Sequence, residues 1–264
     1  MSIRSYRIPK KSIRNAHLNL SVPIQVSTVA ELEKALENQT ADQVIEVFPG
    51  DYVLTKSISI PVAAQGGVLR CIGERNMDRA AQITGAVDAD EAILIKPAAS
   101  SASWYYTFEG VSVRAGAADK IGIRVNNADI GKKIVLNFRN CYVDDKDGSV
   151  GLKIEHPLDS QAIRIFAYGG SWGGQVDFTA NNDGDRFFAE GVWLEKGVVT
   201  AGGVCAEFRY KSCILLHEGQ TGGNALHKIN VLNCYVYTDT GVARAMAKAD
   251  ANDFPAPQSP TILD

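Results

Sequence analysis

The chain has 264 residues, of which 45% are apolar and 22% are charged, with 24 glycines and 9 prolines. This composition is typical of a globular protein and excludes collagen, low-complexity disorder and small disulfide scaffolds. The formal net charge of −3 excludes a globally basic nucleic-acid coat protein. No apolar run approaches the roughly 20 residues that a membrane helix needs. We therefore expect neither a nucleic acid nor a membrane as partner.

Residues 1–26 are predicted to form an extended, basic N-terminal arm. Its positive charges are Arg4, Arg7, Lys10, Lys11 and Arg14. No apolar stretch of the kind found in secretory signals follows them, so we expect a protein that is made in the cytoplasm and not exported. The five cysteines are then expected to be buried free thiols rather than disulfides.

A short amphipathic helix is predicted over residues 28–38. Thr28 and Glu31 have the spacing of a capping box, and Val29, Leu32 and Leu36 fall on one face. A strand is predicted over 44–54, and further strands over 57–61, 67–72, 92–95, 122–125 and 151–154.

Six later segments share the pattern apolar–x–apolar–x–small–x–x–apolar. The small position is occupied by Gly110, Asn140, Gly170, Gly191, Ser212 and Asn233, which gives steps of 30, 30, 21, 21 and 21 residues. Alternating apolar residues on both sides of a Gly or Asn indicate a strand, a left-handed bend and a second strand. A repeat of this length in β-rich sequence predicts stacked coils in which equal positions lie above one another.

The repeat separates interior from exterior positions. The position after the bend includes Cys141, Cys213 and Cys234, which are predicted to be inert packing thiols, so no metal site is expected. The second position after the bend is predicted to face outward. From the second coil onward it carries Tyr142, Trp172, Trp193, Ile214 and Tyr235, which we call the aromatic stripe.

The far end of the chain differs in composition. Residues 242–248 are helix-prone and are predicted to cover the last coil, and the tail that follows is rich in proline and lacks a core of its own.

The segments "TVAELEKAL" and "FPGDYVL", together with the repeat, resemble the pectin-lyase-like right-handed parallel β-helix superfamily, and the resemblance extends to about residue 237. It implies an all-β solenoid with a short N-terminal capping helix. The implied organisation is the arm (1–26), a parallel β-helix (27–240) and a C-terminal cap with a Pro-rich tail (241–264). Right-handed crossovers are also the rule for parallel strands.

This superfamily contains lyases, hydrolases, phage tailspikes and inactive virion proteins, so the fold leaves the function open. The Gly-His-Gly turn of the hydrolase branch is missing, since none of His17, His156, His217 and His227 lies between glycines. Acidic clusters occur at Asp144, Asp145 and Asp147 and at 181–185. They could supply a glycosidase carboxylate pair, but they have the composition of ordinary solvated turns. We therefore assign no catalytic residue and no cofactor.

The aromatic stripe leaves three alternatives open: a contact between subunits of a homo-oligomer, coverage by the chain's own arm or tail, or a platform on which sugars stack. Because no catalytic signature is found, we predict a structural phage virion protein, specifically a trimeric capsid decoration (cement) protein. Its basic arm would dock onto the major capsid protein or another virion protein. The alternative is a carbohydrate-active tailspike or depolymerase (a polysaccharide lyase or glycoside hydrolase), or a glycan-binding fibre module without catalytic activity.

Overall fold

The structure is a computed structural model. It describes residues 22–73, 81–96, 103–126, 133–144, 149–155, 163–178, 185–194, 198–200, 207–216, 228–237 and 243–249. Over these residues the chain is mostly β, with one α-helix and a short 3-10 turn at Val62–Ala64.

The first eight strands are β1 (Ile24–Val26), β2 (Val44–Val47), β3 (Gly50–Val53), β4 (Ile58–Ile60), β5 (Gly67–Cys71), β6 (Ala81–Thr84), β7 (Glu91–Ile95) and β8 (Trp104–Glu109). They are followed by β9 (Val111–Arg114), β10 (Ile121–Asn126), β11 (Ile134–Asp144), β12 (Val150–Glu155), β13 (Ile163–Trp172), β14 (Gln175–Phe178) and β15 (Arg186–Glu190). The last are β16 (Trp193–Leu194), β17 (Val198–Thr200), β18 (Glu207–Lys211), β19 (Ile214–Leu216), β20 (Lys228–Tyr237) and β21 (Ala243–Ala249).

The helix α1 (Val29–Glu37) begins where the capping box predicts. The Thr28 hydroxyl accepts from the Glu31 backbone N–H, and the Glu31 carboxylate accepts from the Thr28 backbone N–H. Leu32 and Leu36 are buried, and α1 packs against β1, β2 and β4. Because these strands lie at the starting edges of the two sheets, α1 covers the first coil.

The strands form two parallel sheets whose neighbours come from successive coils. The large sheet runs β1-β2-β5-β8-β11-β13-β15-β18-β20, with β3, β6, β9, β16 and β19 continuing it beyond the bends. The small sheet runs β4-β7-β10-β12-β14-β17. The described pairings are parallel except for β20 with β21. The chain thus alternates between the sheets and stacks each coil on the preceding one.

The predicted bend is present, with one correction. Gly110, Asn140, Gly191 and Ser212 have positive φ values of 64°, 50°, 66° and 52°. In the third coil, however, Arg139 pairs with Tyr168, so the bend equivalent to Asn140 lies at Gly169 (φ 65°) and not at the predicted Gly170. The pair of consecutive glycines allowed either alignment, and pairing with the neighbouring strands selects the earlier one.

The interior contains a ladder of aromatic rings that crosses the coils. Phe108 and Phe138 stack with centroids 5.0 Å apart and an interplanar angle of 5°. Trp172 lies edge-on between Phe138 and Phe187, with centroid distances of 5.0 and 5.6 Å. Phe108 and Phe138 are paired neighbours, whereas Trp172 comes from a strand position beyond the bend, so rings from different positions together fill the core between the sheets and add aromatic attraction to the buried area.

Both predicted ends need correction. Residues 24–26, predicted to belong to the arm, form β1, which pairs in parallel with β2. Residues 243–249 form β21 and not a helix. The last coil presents the free edge of β20, and the hydrogen bonds gained by antiparallel pairing along that edge outweigh the helical propensity of an Ala-rich segment.

Two glycines with left-handed backbones provide a test of the stacking. A methyl group on Gly170 (φ 91°) would overlap the backbone carbonyl of Cys141 in the neighbouring coil, whereas one on Gly191 (φ 66°) would meet no atom within 4 Å. Gly170→Ala should therefore lower the free energy of unfolding by about 3 kcal/mol or more, and Gly191→Ala by only the 1–2 kcal/mol of left-handed strain, roughly. Urea denaturation measures both losses, and equal losses would contradict the register.

Candidate functional site

The aromatic stripe is only partly exposed. Strand pairing aligns Tyr142 with Ser171, Ser171 with Trp193, Trp193 with Ile214 and Ile214 with Tyr235. Trp193 is 40% exposed, and Tyr142 and Ile214 are half-buried. The side chain of Tyr235 lies outside the described residues. Of the predicted surface, the exposed Trp193 and its half-buried neighbour Ile214 therefore remain.

Trp172 does not belong to the stripe. It pairs with Val143 and Leu194, which are interior positions, and it is 0% exposed. The physical reason is the shift of the bend to Gly169, which moves every later residue of this coil by one position and turns Trp172 inward. Its Nε1 has no hydrogen-bond partner, a cost that the contacts with Phe138 and Phe187 offset.

A second apolar surface lies on the outer face of the strands before the bend. Phe166 and Phe188 are paired neighbours on β13 and β15, and their rings stack with centroids 5.0 Å apart. The Arg209 guanidinium lies over the Phe188 ring at 5.3 Å from its centroid. Tyr168 stands two residues after Phe166, is 44% exposed and lies parallel to it. This surface combines aromatic rings with positive charge.

The outer face of the small sheet carries a network of charged side chains. Arg124, Lys153 and Asp177 are neighbours in register on β10, β12 and β14. Arg124 donates through Nε to Glu155 at 2.7 Å and through Nη1 to Glu91 at 3.3 Å. Lys153 Nζ lies 3.0 Å from the second oxygen of Glu155. We call these five residues the charge cluster.

Within the charge cluster, the environments of Asp177 and Glu155 shift the pKa values of their carboxyl groups in opposite directions. Burial raises the pKa of Asp177; Lys153 opposes the effect and Glu155 adds to it. One oxygen of Asp177 is buried without a hydrogen-bond partner. Burial also raises the pKa of Glu155, but the hydrogen bonds from Arg124 and Lys153 outweigh it, and the net pKa is lowered. Two carboxyl groups whose pKa values are shifted in opposite directions therefore lie diagonally across from each other on β14 and β12.

The charge cluster was not among the sites predicted from sequence. Arg124 and Lys153 lie on strands that were predicted only as parts of the solenoid, and the strand that carries Asp177 was not predicted. The three positions are 29 and 24 residues apart. Opposite Val150–Leu152, an irregularity in the pairing with β14 changes the register. This change of register places Asp177 opposite Lys153, a pairing that the spacing of the repeat does not predict. Recurring charges at outward strand positions were the available signal.

The predicted acidic loops do not supply the cluster. Asp185 is fully buried, and its carboxylate accepts the backbone N–H of Ile163 at 2.8 Å, so it joins neighbouring coils and is not a solvated turn residue. Asp145, Asp147 and 181–183 lie outside the described residues, as do the four histidines and the side chain of Asp144.

The cysteines that the structure describes are packing residues, as predicted. Cys71, Cys141, Cys213 and Cys234 are buried free thiols. Burial raises the pKa of the Cys141 thiol to about 12. A hydrogen bond with Cys234, together with burial, raises the pKa of Cys213. Within the described part of the chain, no group of three or more His, Cys, Asp or Glu side chains is arranged to hold a metal ion.

The predicted arm residues Arg4, Arg7, Lys10, Lys11 and Arg14 lie outside the described residues, which begin at Val22. Close to this point, a cavity of about 320 Å³ opens between β1 and α1, lined among others by Ile24, Val26 and Ala35. Its polar rim includes Glu31 and Lys34. The chain therefore enters the fold beside a partly apolar cavity.

Comparison with protein-family models and with curated proteins identifies no relative. No protein-family model matches the sequence, and no curated protein matches it. In the part of the chain that the structure describes, no helix has both the length and the apolar character needed to cross a membrane. The fold and the surfaces described above are therefore the basis for any functional proposal.

Titration of Asp177 tests the environment of the charge cluster. Because its folded pKa lies above the ordinary value of 3.8, ionisation of Asp177 opposes folding at neutral pH, and this penalty disappears below 3.8. Asp177→Asn should therefore raise the free energy of unfolding relative to wild type at pH 7 but not at pH 3. Asp90, whose pKa is lowered by its hydrogen bond from Lys120, is the control, and Asp90→Asn should give no gain at pH 7. A pH-independent effect of Asp177→Asn would contradict this account.

Proposed function

We propose that this chain is a right-handed parallel β-helix of the pectin-lyase-like type that serves as a structural protein of a phage virion. The specific role that we propose is a trimeric capsid decoration (cement) protein. The observation that carries the proposal is the exposed Trp193, aligned in register with the half-buried Ile214 and, through Ser171, with the half-buried Tyr142. Tryptophan and tyrosine in such positions are typical of contact surfaces.

The interior supports a mechanical role. Described coils that pair with both neighbours and share an aromatic ladder form a unit in which an inner strand cannot shift without breaking contacts on both sides. Rigid surfaces lose little conformational entropy on association, because the contact residues are already ordered. A decoration protein that stabilises a head needs this property, since it must hold neighbouring capsid subunits at fixed positions.

The proposed attachment device is the basic arm. Residues 1–21 contain Arg4, Arg7, Lys10, Lys11 and Arg14 and no acidic residue. A segment of this charge gains most from an acidic surface on a partner, with association accelerated by long-range attraction. The proposed partner is the major capsid protein or another virion protein, and the proposed location is the virion.

A second candidate function is favoured by the charge cluster. Asp177 is paired with Lys153, and Lys153 stands two residues before Glu155 on β12. The spacing between strands and the rise along a strand therefore separate the Cα atoms of Asp177 and Glu155 by about 8 Å. Inverting glycoside hydrolases use two carboxyl groups roughly 6.5–9.5 Å apart whose environments push their pKa values in opposite directions, and strands at this Cα separation can carry such a pair. This is the carbohydrate-active tailspike or depolymerase alternative, with Asp177 as acid and Glu155 as base.

The subunit contact is tested by Trp193→Ser. If Trp193 lies in the centre of the interface, its loss should weaken self-association by about 2 kcal/mol, roughly thirty-fold in the dissociation constant. Sedimentation equilibrium measures the change. Val53→Ser removes another exposed apolar side chain, from β3, and should leave association unchanged. Identical sedimentation of Trp193→Ser and wild type would contradict the proposed interface.

Attachment is tested by deleting residues 1–14. The shortened protein should remain folded and oligomeric but should no longer bind purified particles, and wild-type binding should weaken as ionic strength rises. Binding is measured by co-sedimentation with particles that lack the protein. Full occupancy by the shortened protein at both low and physiological salt would show that attachment lies elsewhere.

The second candidate is tested on purified bacterial surface polysaccharides. If the chain is a glycoside hydrolase, it should release reducing ends, and Asp177→Asn or Glu155→Gln should each reduce the rate about a hundred-fold or more, because acid–base groups contribute 10²–10⁴-fold. Asp51→Asn removes an exposed carboxylate from β3 and should have no effect. Cleavage by Asp177→Asn at the wild-type rate would exclude the charge cluster as the catalytic site.

A further inference from the structure

The outer face of β13, β15 and β18, before the bend, presents side chains that the core does not use. We call it the Phe–Arg face: Phe166, Phe188 and Arg209 in one row, with Arg164 and Arg186 in the row two residues earlier. The phenylalanine rings stack at 5.0 Å, and Arg209 covers the free side of Phe188. Both rings are only half-buried and lie on the side of the sheet away from the aromatic ladder.

The chemistry of this face defines what it can bind. Stacked aromatic rings favour flat apolar groups such as aromatic or proline rings, and arginine adds attraction for carboxylates. In the earlier row, Arg164 pairs with Arg186, so arginine side chains of two neighbouring strands lie beside the aromatic rings. The Nε of Arg164 is buried without a hydrogen-bond partner. The face therefore suits an extended acidic segment that carries proline or aromatic residues.

One segment of this chain has that composition. Residues 250–264 contain Asp250, Asp253 and Asp264, no lysine, arginine or histidine, and the run Phe254-Pro255-Ala256-Pro257. Proline-rich segments adopt extended polyproline II geometry and dock on aromatic surfaces at low entropic cost. The N-terminal arm is excluded as occupant by charge, because it is as basic as the face itself.

The length of the tail matches the distance it has to cover. Its last described neighbour, Ala249, pairs with Val231 of β20. From β21 to β18, β15 and β13 the chain must cross two, three and four strand spacings, or about 10, 14 and 19 Å. At about 3.1 Å per residue, Asp253 reaches the level of Arg209, and residues 254–257 reach the levels of Phe188 and Phe166.

We propose that residues 250–264 dock in cis on the Phe–Arg face, with Asp253 against Arg209 and the Phe254–Pro257 run across Phe188 and Phe166. The tail then covers the aromatic surface before the bend and leaves the Trp193 surface, beyond the bend, open for other contacts. This docking is independent of the virion role, because it depends only on the chain's own residues.

Photo-crosslinking of the full chain tests the docking directly. Phe188 is replaced by the photoreactive amino acid benzoylphenylalanine, and crosslinked peptides are identified by mass spectrometry in a mixture of ¹⁵N-labelled and unlabelled protein. The expected product joins position 188 to residues 250–264 within one copy. The same replacement at Val53, exposed on β3, should not capture the tail. Capture of the tail of another copy, or of no tail residue, would overturn the proposal.

Charge variants in the full chain provide a second, independent measurement. A protease specific for aspartate cleaves the 252–253 bond, and docking should slow this cleavage at least ten-fold relative to the free peptide 246–264. Arg209→Gln should raise the cleavage rate of the full chain at least five-fold relative to wild type. Lys211→Gln removes an equal charge from the same strand but outside the Phe–Arg face, at a side chain 2.6 Å from Glu190, and should change the rate less than two-fold. Equal rates in wild type, Arg209→Gln and the free peptide would overturn the proposal.

Discussion

The structure depends on one constraint: each coil must return its strands to hydrogen-bonding register with the coil before it. Parallel pairing across about 4.8 Å leaves no freedom of phase, because a slip of one residue turns every side chain to the opposite face. The left-handed residues Gly110, Asn140, Gly169, Gly191 and Ser212 satisfy this constraint by placing the bend at the same point of every coil. The same register brings the paired rings of Phe108 and Phe138 to 5.0 Å from each other, and the ladder continues through rings at other positions, such as Phe187 and Tyr210 at 6.2 Å.

The same constraint organises the surface. Because equal phases stack, a single outward position becomes a row of neighbouring side chains. Beyond the bend this row carries Trp193 and Ile214; before it lies the Phe–Arg face; on the small sheet lies the charge cluster. The three surfaces consist of different residues, so the proposed subunit contact and the proposed tail docking do not compete for the same side chains. Rigid coils also keep each row pre-organised, which lowers the entropic cost of binding.

The repeat spacing predicted most of the coil architecture correctly, and its errors have identifiable causes. Two adjacent glycines fit the bend equally well at 169 and 170, and the sequence pattern favoured the wrong one, which placed the buried Trp172 on the surface. Residues 243–249 have a helical composition, but the exposed edge of β20 offers them a ladder of hydrogen bonds. In both cases a contact with a neighbouring strand, distant in sequence, overrides a local preference.

By itself, the sequence determined which positions alternate between inside and outside, where α1 is capped, and that Gly, Asn or Ser would occupy the bends, because these properties depend on local backbone chemistry. Only the tertiary structure decided how the rows of different coils align. That alignment places Trp172 in the core and Asp177 beside Lys153 and Glu155, with a raised pKa and an unsatisfied oxygen. The reason is that the alignment between coils is a property of hydrogen bonds between strands. An added glycine, or a local irregularity such as that at Val150–Leu152, shifts this alignment by one residue. The pattern of apolar and polar residues along the chain does not change.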